Sequence, residues 1–196
     1  AMFFRGLALT DNNDALQATQ EFSKALELDP TIGMAYRYRA INQAATQNHR
    51  EAIEDAEQAV SYLGPMQDLC DFLAEEYLIL GRFEEALQIA TKSLPLCADK
   101  RKLYYVRGAA NYRLQNLDAA LDGFAEAVRL TISDRTGVNK QSLWSRGEAI
   151  GACDDRINNV SGDDKTLFTR GMAHYFRGLP SRDQVDFTKA ETDLAA

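Results

Sequence analysis

Between Gly33 and Tyr62 the small and apolar side chains fall twice into a helical rhythm. Tyr36, Ala40 and Gln43 recur at intervals of three and four, and so do Ala52, Ile53, Ala56, Ala59 and Val60. Spacing of i, i+3, i+4 and i+7 puts such positions on one stripe of a helix. It predicts a helix over 33–46, a turn at Gln47-Asn48-His49-Arg50 and a second helix over 51–62. Gly64-Pro65 follows, an order that ends a helix and blocks its continuation. Period-two runs of β-branched and aromatic residues, which would signal strands, are missing.

The layout returns every 34 residues. Ala52, Ala86 and Ala120 form one column, Ala40, Ala74 and Gly108 a second, and Ala56, Ala90 and Phe124 a third. Small side chains at fixed offsets let paired helices approach to the short end of the roughly 8–10 Å packing range. A period of this length marks a helical repeat array. We read repeats at about 1–32, 33–66, 67–100 and 101–134. In the first, Gly6, Ala18, Phe22 and Ala25 fit, but its opening helix would begin before Ala1, through truncation or a native start that clips it. Ala1 ahead of Met2 leads us to expect an upstream segment. Residues 135–163 depart from the register. Either Ala149, Ile150 and Cys153 belong to a degenerate repeat, the reading we favour, or 143–147 (Leu-Trp-Ser-Arg-Gly) is itself a first-helix motif. A sixth repeat over 164–196 carries Gly171, Tyr175 and Gly178, with Ser181 and Gln184 spaced as a capping box.

Gly81-Arg82-Phe83-Glu84-Glu85-Ala86-Leu87 and the run from Phe22 to Leu28-Asp29-Pro30 resemble the wording of the tetratricopeptide repeat (TPR) family. The resemblance covers 1–134 without insertion and resumes near the end. It implies an all-α fold: antiparallel helix pairs in a single right-handed α-solenoid over 1–196, the TPR superhelix, with first helices lining a concave groove. Mapped through it, the groove positions are Arg37 and Ile41, then Asp68, Asp71 and Glu75, then Lys102, Tyr105, Ala109 and Arg113. That lining has an acidic middle flanked by arginines and aromatic surface, and aromatics and arginine are enriched among binding hot spots. The implied function is a scaffold or adaptor holding a peptide segment of a protein partner, with a basic or amino-terminal group near Asp71 and Glu75. The alternative is a regulatory or oligomerisation domain of a larger protein. Self-association through the solenoid ends is a further expectation, because repeat arrays need polar caps.

Chaperone-binding members of the family grip a partner's terminal carboxylates with two Lys, two Asn and an Arg. Here the matching places hold Phe3, Leu7, Tyr38, Asp68 and Phe72, or, one repeat on, Arg37, Ile41, Phe72, Lys102 and Val106. Neither set can clamp a carboxylate pair, so that mode is not expected.

Comparison of repeats exposes a pairing. Arg5, Arg39 and Arg170 share one first-helix place, and sixteen residues later stand Glu21, Asp55 and Asp186. The third repeat holds Leu73 and Ile89 there, both apolar, and the fourth holds Arg107 and Gly123. Charges that change together point to structural ion pairs within a hairpin, with the arginine stem packed on the core. As exposed pairs each is worth about 0–1 kcal/mol.

Composition narrows the function further. The 196 residues are 45% hydrophobic and 26% charged, which suits a folded chain. A net charge of −7 without a basic stripe argues against nucleic acid. No apolar run approaches the roughly 20 residues of a membrane span, so no membrane insertion is expected. Cys70, Cys97 and Cys153 are widely spaced, favouring buried reduced thiols and a cytoplasmic location. His49 reads as a solvated turn residue and His174 as a helix-packing one, and the Glu75-Glu76 pair as a solvated face. No zinc pair, nucleophile motif or phosphate loop is present, so no catalytic residue, metal site or cofactor is expected and the chain reads as a non-enzyme.

Overall fold

The computed structural model describes residues 1–133. Repeats five and six, with Cys153, His174 and the Arg170–Asp186 pair, lie outside them. The chain divides into two compact units, Ala1–Ala98 and Asp99–Ala196.

The described residues are all-α, with no strand, and have the fold of a helical-repeat solenoid. In the first unit, α1 (Met2–Asp11) pairs with α2 (Ala15–Leu28), α3 (Gly33–Ala45) with α4 (His49–Leu63), and α5 (Gln67–Ile79) with α6 (Phe83–Ser93). α2 packs on α3 and α4 on α5, while α1 also touches α3. In the second unit, α7 (Arg101–Arg113) pairs with α8 (Leu117–Ser133).

The alanine columns form the seams. Ala18, Ala52, Ala86 and Ala120 have no exposed surface, nor do Ala40, Ala56, Ala74 and Ala90. Hairpins one and four solve the same contact differently. A Cβ on Gly6 would stand 2.7 Å from the Phe22 ring, and one on Gly108 would stand 2.6 Å from the Phe124 ring. In both, a large ring sits on bare backbone where the other hairpins place Ala40 with Ala56 and Ala74 with Ala90. The ring is admitted only where the facing position carries no Cβ, as close packing demands. Gly123 explains why Arg107 has no acidic counterpart. A Cβ there would lie 2.5 Å from the backbone nitrogen of Gly108, so α7 and α8 meet without room for a side chain.

Each hairpin turn is closed in the same way. Asn13, Gln47, Gly81 and Gln115 have left-handed backbones, with φ of 59°, 64°, 72° and 63°. The next amide reaches back five residues, Asp14 to Leu9, Asn48 to Gln43, Arg82 to Tyr77 and Asn116 to Asn111, each at 2.9 Å. This is the Schellman closure, which satisfies carbonyls that a helix end leaves open. A non-glycine residue bears roughly 1–2 kcal/mol of strain at such a position, so only Gly81 is conformationally at ease there. Asp14, Asn48 and Arg82 then serve as N-caps of α2, α4 and α6. The turn expected at 47–50 is therefore two residues shorter. His49 and Arg50 are already helical.

Candidate functional site

Arg39 is a strut. Its Nε and Nη2 donate to the two oxygens of Asp55 at 2.6 and 2.7 Å, and its Nη1 donates to Ser23 Oγ at 3.0 Å. One guanidinium thereby ties α3 to α4 and to α2 of the preceding hairpin. Only 20% of the Arg39 side chain and 8% of Asp55 are exposed, so the value of an exposed pair does not apply to it. Asp55's carboxylate accepts two of these bonds and raises the Arg39 pKa above its ordinary value. Arg5 and Glu21 are looser, at 3.8 Å. The nearer partner of Glu21 is Lys24, at 2.8 Å. That hydrogen bond chiefly lowers the Glu21 pKa, against the opposing effect of burial and with a smaller attraction from Arg5.

The residues mapped to the groove separate by burial. Arg37 Nη2 pairs with Asp68 across α3 and α5, with 21% and 45% of the two side chains exposed. The Arg37 guanidinium lies 5.2 Å from the Tyr38 ring centre. Tyr38 in turn stacks on Phe22 at 5.9 Å and stands 6.3 Å from Phe3. Rings and charges thus run in order, Phe3–Tyr38–Arg37–Asp68, over three neighbouring first helices. Ile41 is 38% exposed and borders an open cleft of about 490 Å³ with Thr10, Asp14, Leu16 and Thr46. Asp68, Asp71 and Glu75 are spaced i, i+3 and i+7, which puts them on one face of α5.

In the second unit, Lys102 is half-buried and Arg113 exposed. Tyr105 and Ala109 depart from the expected lining. Tyr105 keeps 8% of its surface and its ring packs on Phe124 at 5.8 Å, while Ala109 keeps none. Part of the face expected to be open on α7 is thus turned to the core, with Tyr105 packed against α8.

His49 and Glu76 also differ from the sequence reading. His49 opens α4, and its Nδ1 lies 2.7 Å from Glu76 Oε2 on α5, while Glu76 keeps only 5% of its surface. The pair bridges two hairpins. Nothing in the 34-residue register signals it, because the corresponding places elsewhere hold other residue types. Cys70 and Cys97 are both buried.

Beside Glu76, Tyr77 donates its hydroxyl proton to Glu57 of α4, and Arg82 lies 4.6 Å from its ring centre. Burial first, then the bond to Glu57 and that carboxylate's charge, push the Tyr77 pKa up to about 12. The unfolded phenol ionises near pH 10. Between those values the unfolded state has lost a proton that the folded state still holds, so stability falls as pH rises from about 10 to 12. The expected loss is on the order of 2–3 kcal/mol. Tyr77→Phe is expected to flatten this alkaline drop, read as melting temperature against pH from 8 to 12. An equally steep drop in the variant would refute the assignment.

Among the described residues no group of three His, Cys, Asp or Glu side chains is placed to hold a metal. No described helix is long and apolar enough to cross a membrane.

No protein-family model matches the chain. It is 20% identical over 188 residues to a TPR repeat-containing protein of Methanocaldococcus jannaschii, covering 88% of this chain and 33% of that one. It is 32% identical over 82 residues to ETO1-like protein 1 of Arabidopsis thaliana, covering 42% of this chain and 9% of that one. The chain therefore spans about a third of the first relative and a tenth of the second. Among solved structures, it superposes on YrrB, described as a TPR protein with an unusual peptide-binding site, with a TM-score of 0.72 and 18% identity. That match covers 100% of this chain and 91% of YrrB. Repeat register, helical hairpins and these likenesses together give the chain the helical-repeat fold that tetratricopeptide-repeat proteins share.

Proposed function

We propose that the chain is a non-catalytic protein-interaction module whose repeats act as one array and hold an extended segment of a partner on the first-helix face. The observation that carries this reading is the partly exposed run Phe3–Tyr38–Arg37–Asp68 across α1, α3 and α5. Aromatic and arginine side chains combine large contact area with directed hydrogen bonding, the traits of binding hot spots. Asp68, Asp71 and Glu75 on α5 favour a basic or amino-terminal group on the bound segment. The description of YrrB as having a peptide-binding site agrees with a peptide ligand. The matching positions here lack the lysine and asparagine set of a chaperone-tail clamp, so the segment is bound in another manner.

The test is a displayed library of extended peptides selected on the 196-residue chain. Joint Asp71→Lys and Glu75→Lys is expected to weaken the selected peptides by about tenfold or more, with helicity and melting nearly unchanged. Unaltered binding would remove these two residues from the site. A second reading, a regulatory or oligomerisation segment of a longer protein, is favoured by the one-third span of the archaeal relative.

A further inference from the structure

Arg37 is held in an unfinished way. It contacts Asp68 through Nη2 alone, while its Nε is buried and has no hydrogen-bond partner. Arginine binds carboxylates best through two parallel N–H donors. The Arg39–Asp55 pair, two residues along α3, shows that fork satisfied through Nε and Nη2. At Arg37 the same edge is half used. The two acids also differ in burial, since Asp55 is 8% exposed and Asp68 is 45% exposed. Arg37 itself is fixed from below by the Tyr38 ring, which Phe22 and Phe3 support.

We propose that Asp68 is an internal stand-in for a carboxylate of the bound segment. An aspartate or glutamate side chain from the partner displaces Asp68 and takes the Nε–Nη2 edge of Arg37. Its neighbouring apolar side chain rests on Phe3 and on Phe4, which is 72% exposed and whose ring centre lies 5.6 Å from that of Phe3. Asp68, once released, turns to solvent, while Asp71 and Glu75 on the same α5 face hold the basic group. The free protein is thus mildly self-blocked, and the preferred segment carries an apolar residue, an acid and then a base. This inference rests on the first-helix face being the peptide site.

The exchange predicts opposite effects from two substitutions in one ion pair. In the library selection on the full chain, recovered peptides are expected to be enriched in Asp or Glu beside an aliphatic or aromatic residue. Asp68→Asn removes the internal competitor and is expected to tighten those peptides by up to about fivefold, the value of a partly exposed ion pair. Arg37→Gln is expected to weaken them by tenfold or more and to abolish the acid preference. Circular dichroism and melting of each variant confirm that the hairpins persist. If Asp68→Asn weakens binding as Arg37→Gln does, the stand-in role is overturned while the peptide face survives. Peptides recovered without an acid preference overturn it equally. If neither the wild-type chain nor Asp68→Asn retains any peptide, both the stand-in and the peptide face fall together.

Discussion

Arg39→Leu is expected to lower stability by about 3–5 kcal/mol, because it leaves the Asp55 carboxylate buried without its partner. Asp55→Ile alone strands a guanidinium that also serves Ser23 and is expected to cost about 1–3 kcal/mol, less because the arginine can swing toward water. Together the two substitutions are expected to fall within about 1 kcal/mol of the wild type. The third hairpin supplies the precedent: its matching places hold Leu73, which is 3% exposed, and the half-buried Ile89. Chemical denaturation of the four proteins gives the coupling free energy as a double-mutant cycle. Additive losses would show that the pair is not a unit, and that α3 and α4 owe their register to other contacts.

Phe22→Ala is expected to cost a comparable amount, about 3–5 kcal/mol, since it removes a fully buried ring that stacks on Tyr38 and supports Phe3. Its sharper consequence concerns Gly6. In the wild type, Gly6→Ala drives a Cβ to within 2.7 Å of the ring and is expected to destabilise by about 1–3 kcal/mol. In the Phe22→Ala background the same substitution is expected to stabilise by about 1 kcal/mol, because alanine favours the helix over glycine and fills part of the void. The sign of one mutation thus inverts with its neighbour. Thermal melts of the two single variants and the double variant read this directly, and a Gly6→Ala effect of the same sign in both backgrounds would reject the ring-on-backbone account.

Much of the fold was legible beforehand because close helix packing is a local and repetitive demand. Wherever two helices must approach, the side chain between them must be small, so the 34-residue columns of alanine and glycine report the seams. The α3 and α4 cores, Ala40 and Ala52 among them, follow from that rule alone. Gly6 with Phe22 and Gly108 with Phe124 obey it too. There, one glycine makes room for one ring, and the exchange for two alanines becomes visible once repeats are aligned. The same pairing of residue types recurs at Gly171 and Phe187, outside the described residues.

The contents of the site were less legible. Register assigned Tyr105 and Ala109 to an open face, but burial depends on what packs from the neighbouring helices. His49 sat among polar turn residues and read as solvated. A left-handed Gln47 ended the turn early, brought His49 into α4 and delivered it to Glu76 on the next hairpin. Register also placed Arg37 and Asp68 on first helices 31 residues apart without indicating that each would be the other's partner.

The sequence by itself determined the repeat length, the helical hairpins and the positions that must be small, since these follow from periodicity and sterics within about one turn of helix. Tertiary structure alone decided which polar groups meet, which acid is buried and which arginine is left half satisfied. Those outcomes depend on side-chain reach and on solvent exclusion between hairpins, quantities that no spacing along the chain encodes.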